Sequence, residues 1–128
     1  MQTGTKNTLE RKVTEELSAL SMGSGTLRVF ATPAMIALIE ETCWRCVAQQ
    51  LEEGQGTVGT LLNVKHLAPT PLGMTVKCES ELIEVDGRRI VFSVNVYDET
   101  GLVGSGTHER FIINESKFQA KANSKLPE

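Results

Sequence analysis

The chain has 128 residues, 40% of them apolar, which suits one domain with a buried core and is too short for two. A formal net charge of -3 leaves no basic footprint for a nucleic acid. No run reaches the roughly 18 apolar residues of a membrane span, and the polar start Met1-Gln2-Thr3-Gly4-Thr5-Lys6-Asn7 lacks the apolar core of a signal peptide. The three cysteines, Cys43, Cys46 and Cys78, are odd in number and sit among apolar neighbours, which fits free thiols in a reducing cytoplasm.

Residues 1–7 are polar and expected to fray. From Thr8 to Thr14, Leu9, Arg11 and Val13 alternate with Thr8, Glu10 and Lys12 in the manner of a half-exposed strand. Thr14 to Leu20 reads as a short helical turn with acids near its positive end, and Met22-Gly23-Ser24-Gly25 breaks it. The main helix then opens with Thr32 as an N-cap and Pro33 in the first helical position, where its missing N–H is no loss. It runs through Ala34-Met35-Ile36-Ala37-Leu38-Ile39 and ends at Glu52-Glu53-Gly54-Gln55-Gly56. Its first half is apolar on all sides, so protein is expected to surround it. Glu41 stands four residues before Arg45, the spacing of a solvated ion pair. Glu40 has no such partner within the helix and is expected to be the desolvated carboxylate.

Thr57 to Leu67 alternates as a strand, with Val58, Thr60, Leu62, Val64 and His66 on the uncharged face expected to meet the helix. That places His66 on the side of Glu40. Pro69-Thr70-Pro71-Leu72-Gly73 is a stiffened turn. A strand from Met74 to Val85 follows, with Met74, Val76, Cys78, Ser80 and Leu82 inward. Asp86-Gly87 reads as a two-residue hairpin, and Arg89 to Asp98 returns with Ile90, Phe92, Val94 and Val96 inward. Glu99-Thr100-Gly101 turns into a last strand, Leu102 to Ile113, where Gly104 and Gly106 leave room for close approach. Asn114 to Ser124 reads as a short helix with Lys117, Lys121 and Lys125 in line.

The predicted order is strand, helix, then four antiparallel strands in a meander, with one long helix to fill the concave side. This is an α+β pattern, that of a hot-dog fold: an antiparallel sheet wrapped around one long central helix. Its edge strand predicts a homodimer, or a dimer of dimers, through pairing with a second copy.

Five stretches carry a more specific resemblance. They are Val29-Phe30-Ala31-Thr32-Pro33, the Glu40 helix, Gly56-Thr57-Val58-Gly59-Thr60, Val64-Lys65-His66-Leu67-Ala68-Pro69-Thr70-Pro71-Leu72-Gly73, and Gly104-Ser105-Gly106-Thr107-His108-Glu109-Arg110. In this order they resemble the fluoroacetyl-CoA thioesterase-like family of hot-dog proteins, from about residue 8 to the last helix. The resemblance implies an acyl-CoA thioesterase with Thr32, Glu40 and His66 as catalytic residues. It implies substrate-binding roles for Gly59, beside the acyl thioester, and for Arg110. No metal or separate cofactor is implied, since coenzyme A enters as part of the substrate. The family's fluoroacetyl-specific enzyme has an aromatic lid before the Val-Phe-Ala-Thr stretch; Met22 to Arg28 contains no aromatic residue. Thioester hydrolysis of a small or medium acyl-CoA is thus expected, and the acyl group is left open.

The residue types suit that chemistry. A thioester carbonyl needs an attacking oxygen, a base, and donors where the oxyanion develops. Glu40 supplies attack or activates water, His66 moves a proton or polarises the carbonyl, Thr32 offers a hydroxyl, and Gly59 lets a backbone N–H approach. Thr32 and Glu40 are eight residues apart, about 12 Å along a helix axis, too far to touch one carbonyl together. A site shared between subunits resolves this. The alternative is a non-catalytic hot-dog module that binds acyl-CoA or another apolar ligand. Cys43-Trp44-Arg45-Cys46 has redox spacing but lies mid-helix and reads as packing, and His108 reads as a surface strand histidine.

Overall fold

The computed structural model describes residues 1–127. The strands are β1 (Lys6–Lys12), β2 (Gln55–His66), β3 (Thr75–Asp86), β4 (Arg89–Asp98) and β5 (Gly101–Asn114). The helices are α1 (Ala19–Met22), α2 (Thr32–Val47) and α3 (Glu115–Asn123). The strands form one antiparallel sheet in the order β1-β3-β4-β5-β2, so β1 and β2 are its edges. The expected meander holds for β3 to β5 only. β2 pairs with β5 rather than β3, and the Leu67–Met74 segment carries the chain across the sheet. That crossing is anchored: the Leu67 N–H donates to the Val103 carbonyl (2.7 Å), the Thr70 hydroxyl to Asp98 (2.8 Å), and the Gly73 N–H to the Val13 carbonyl (2.8 Å).

The concave face closes on α2. Met35, Leu38, Ile39, Cys43 and Val47 have no exposed area, and neither do Val76, Cys78, Leu82, Ile90, Phe92 and Val96 on the strands beneath them. Burying side chains of this size contributes about 1.5–3 kcal/mol each. The inward sets expected for β3 and β4 are therefore buried, except Met74, which precedes β3. Gly104 sets the depth of this packing, because a Cβ there would lie 2.6 Å from the Met35 sulfur.

Four local expectations change. Pairing begins before β1, where the Gly4 N–H donates to the Leu82 carbonyl and the Leu82 N–H to the Thr5 carbonyl, both at 2.8 Å, so fraying does not extend to residue 7. The two-residue loop of the β3–β4 hairpin is Gly87-Arg88, with Asp86 opposite Arg89 and Gly87 at φ 61°. α2 stops at Val47 and tightens into a 3-10 turn at Ala48–Gln50 once its apolar face runs out. Its N-cap is Ala31, with Thr32 and Pro33 in the first turn, and Thr32 makes no capping hydrogen bond.

Candidate active site

Thr32 is freed from capping and turned elsewhere. Its Oγ1 lies 2.8 Å from His66 Nδ1, joining the start of α2 to the end of β2. Phe30 meets the imidazole edge-on, with ring centroids 6.2 Å apart. His66 Nε2 is buried and has no hydrogen-bond partner among the described residues. Burial pushes the imidazole pKa down, so the ring is held neutral. Thr32, His66 and Phe30 line an open cleft of about 330 Å³, walled further by Ala19, Ser24 and Val29. No aromatic side chain from Met22 to Arg28 covers it.

The other residues gather on a second cluster. Arg110 is buried, and its Nε and Nη2 donate to the Thr57 hydroxyl and carbonyl, each at 2.8 Å. Its Nη1 faces Glu40 Oε2 at 3.4 Å and His108 Nε2 at 3.1 Å. Gly59 lies against the same carboxylate: a Cβ there would be 2.6 Å from Glu40 Oε2. Arg110 therefore pairs with Glu40, while Glu109 pairs with Arg89 at 2.8 Å.

A bulge produces this arrangement. Gly59 opposes Arg110 but Leu61 opposes Glu109, so Thr60 is an extra residue and the facing of β2 changes there. Leu62, Val64 and His66 face the helix as expected. Before the bulge, Thr57 and Gly59 face it instead of Val58 and Thr60. Without the extra residue, Gly59 would turn away from Glu40.

The exposure of the carboxylates also differs from expectation. In the single chain the Glu40 side chain is 41% exposed, while Glu41, held by Arg11 at 2.7 Å and Arg45 at 2.9 Å, is 27% exposed. The Glu41–Arg45 pair is as predicted; Arg11 is an addition. His108 is fully buried rather than on the surface. It follows Gly104 and Gly106 at every second position on the face that meets α2, and that spacing is the signal that places it inward. Thr57, the anchor of Arg110, carries no comparable signal.

Within one chain, then, Thr32 and His66 form one cluster and Glu40, Gly59 and Arg110 form another. Gly59 and His66 are seven residues apart on one strand, about 20 Å. Among the described residues no three His, Cys, Asp or Glu side chains converge to hold a metal ion. Cys43 and Cys78 are buried thiols with pKa values raised by burial, that of Cys78 to about 11, which makes them unreactive.

Residues 13–116 match the family described as fluoroacetyl-CoA-specific thioesterase (FlK). A fluoroacetyl-CoA thioesterase from Streptantibioticus cattleyicolor is 46% identical over 99 residues, 77% of this chain and 71% of that protein. The chain belongs to the fluoroacetyl-CoA-specific thioesterase family. It is thus a thioester hydrolase, as the five stretches implied. A solved structure of the fluoroacetyl-CoA thioesterase FlK superposes with a TM-score of 0.94 at 38% identity, covering 99% of this chain and 98% of that one. A threonine-to-serine variant of FlK has been solved in complex with acetyl-CoA. A hot-dog-like protein from Thermanaerovibrio acidaminovorans superposes with a TM-score of 0.89 at 23% identity, covering 100% of this chain and 95% of that one, and it shares the fold. Thr42 belongs to neither cluster: its buried hydroxyl donates to the Leu38 carbonyl at 2.7 Å in the interior of α2.

Proposed function

We propose that the protein hydrolyses a small or medium acyl-CoA to the free acid and coenzyme A, at a site completed by two copies of the chain. The observation that carries this reading is the division of the family's residues into two clusters at either end of one uncovered edge strand. Residues Gly59, Thr60, Leu61, Leu62 and Asn63 are all exposed and none is charged. The opposite edge, β1, carries Lys6, Glu10, Arg11 and Lys12, and charge is the usual protection of an edge meant to stay single. Antiparallel pairing of two β2 strands about a twofold axis through Leu61–Asn63 brings the Gly59 end of one against the His66 end of the other. Glu40 and Gly59 of one protomer then face Thr32 and His66 of the partner subunit.

The chemistry follows from those groups. The thioester carbonyl sits between Gly59 and His66. Glu40 takes a proton from water as the water oxygen bonds to the carbonyl carbon; the C–S bond breaks and the proton passes to sulfur, leaving acid and thiol. If Glu40 attacks directly, the same products form after water opens the mixed anhydride. His66 contributes at Nε2. With Thr32 donating to Nδ1, Nε2 carries the hydrogen and donates to the developing oxyanion; in the other tautomer Nε2 accepts. The binding cleft beside Thr32 has no aromatic cover, which supports acyl groups larger than fluoroacetyl. No metal or additional cofactor takes part in this scheme.

Free-thiol release from acyl-CoAs of increasing length, fluoroacetyl-CoA included, tests the reaction with Glu40→Ala and His66→Ala beside the wild type. Both variants are expected to be inactive as single species. Mixed and re-assembled, they are expected to recover about a quarter to a half of wild-type activity, because a heterodimer holds one intact site. No recovery from any pairing would count against the shared site. Saturable acyl-CoA binding without turnover by the wild type would instead mark a binding module.

A further inference from the structure

His108 belongs to neither the expected catalytic set nor the packing core, yet it is fully buried and both its ring nitrogens are engaged. Nδ1 lies 2.9 Å from the Leu61 carbonyl and Nε2 lies 3.1 Å from Arg110 Nη1. A backbone carbonyl only accepts and a guanidinium only donates. The two contacts therefore fix one tautomer: hydrogen on Nδ1, lone pair on Nε2.

We propose that His108 is a positioning residue for the thioesterase reaction, holding the Arg110 guanidinium, and through it the Glu40 carboxylate, in the geometry the substrate meets. Thr57 fixes one side of the guanidinium through Nε and Nη2, so its plane is set by two bonds at 2.8 Å. The remaining nitrogen, Nη1, is shared between His108 and Glu40. An acceptor at His108 Nε2 keeps Nη1 directed at the Gly59–Glu40 corner. A protonated His108 would instead place two cations in contact in a buried site. Burial and the neighbouring Arg110 both lower the imidazole pKa, in the direction this arrangement requires.

The bulge at Thr60 supplies the other half of the device. Directly after the extra residue the Leu61 carbonyl receives the His108 Nδ1–H, while the Thr60 hydroxyl donates to the Glu109 carbonyl at 3.2 Å. One irregularity thus turns Gly59 toward Glu40 and gives His108 its acceptor. The proposal rests on the reading of Glu40 as the base or nucleophile.

Two near-isosteric substitutions separate the ring nitrogens. In His108→Gln the amide oxygen replaces Nε2 as an acceptor for Arg110 and the Leu61 contact is lost; in His108→Asn the amide nitrogen keeps the Leu61 contact and the acceptor for Arg110 is lost. With the best acyl-CoA substrate, His108→Asn is expected to lower kcat by about 100-fold with little change in KM, the effect of a misplaced reacting group. His108→Gln is expected to restore most of that loss. Equal kcat values for both variants, tracking their thermal stability, would reduce His108 to a packing residue and overturn the proposal. Glu40→Ala in the same assay keeps the two readings apart: if it stays active the reading of Glu40 fails, and if it is inactive while His108→Asn is not, only the His108 proposal fails. Imidazole nitrogen NMR shifts of the wild type at neutral pH need no variant. They are expected to show His108 protonated at Nδ1 alone, and a proton on Nε2 would overturn the proposal even if the variants do not fold.

Discussion

Gly59 stands where there is no room for a Cβ. Its backbone lies beside Glu40, and an added Cβ would sit 2.6 Å from the carboxylate oxygen and 3.1 Å from His108 Cε1. Gly59→Ala is therefore expected to displace Glu40 and lower kcat by about 100-fold, while thermal unfolding shows an intact fold. His66 makes a different prediction. Its pKa lies below the ordinary 6.5 because burial disfavours the cation, and a ring that works as the neutral imidazole is then active throughout the neutral range. The kcat/KM profile is expected to be flat above pH 6.5 and to fall only at lower pH, as the ring takes up a proton. The His108→Gln variant should keep that acid limb, which excludes His108 as its source and leaves His66 and the Glu40 base. An acid limb centred above 6.5 would contradict the neutral ring. Thr32 shows why side-chain roles are hard to read from a chain alone: Thr before Pro has the pattern of an N-cap, but Ala31 occupies the cap and the hydroxyl goes to His66, 34 residues away. A partner so distant leaves no local trace.

The elements themselves were written plainly in the periodicity. β3 and β4 bury the alternate residues expected of them, because the register of β3 shifts only at Ile83, beyond Leu82, the last of its inward set. α2 begins where its first-turn proline indicates and ends earlier than its composition suggests, because glutamines continue a helical composition without a face to bury. What periodicity does not reveal is β2: a single extra residue at Thr60 inverts the facing of everything before it. Nor does alternation say which strands are neighbours, so β2 looked like the partner of β3 when it pairs with β5. Gly106 guards that pairing. Its φ is 156°, and a Cβ would lie 2.6 Å from the Val64 Cα, inside the backbone of β2. Gly106→Ala is expected to destabilise the protein by about 1–3 kcal/mol, seen as a lower denaturation midpoint. Activity should fall with it, because β2 carries Gly59 and His66 together. An unchanged midpoint would mean that β2 yields locally and that its register is less constrained than the contacts indicate.

Under the proposed shared site, activity requires assembly. Leu61 and Leu62 are 46% and 39% exposed on the uncharged edge of the sheet. As successive residues of a strand they point to opposite faces, so one copy presents apolar surface both above and below the strand. A second β2 would pair the free backbone groups and cover both leucines at once. Leu61→Lys with Leu62→Lys places charge where edges that stay single carry it. The double variant is expected to sediment as a monomer with far-ultraviolet dichroism close to wild type, since neither side chain belongs to the core around α2. Its turnover is expected to disappear into background, because each monomer keeps Thr32 with His66 and Glu40 with Gly59 but never the two clusters on one carbonyl. A folded monomer with full activity would refute the shared site, for a single chain would then have to bring together groups that its own β2 holds about 20 Å apart. A dimer that persists with its activity intact would move the subunit interface away from β2, and with it the explanation for why the family's residues lie at both ends of that strand.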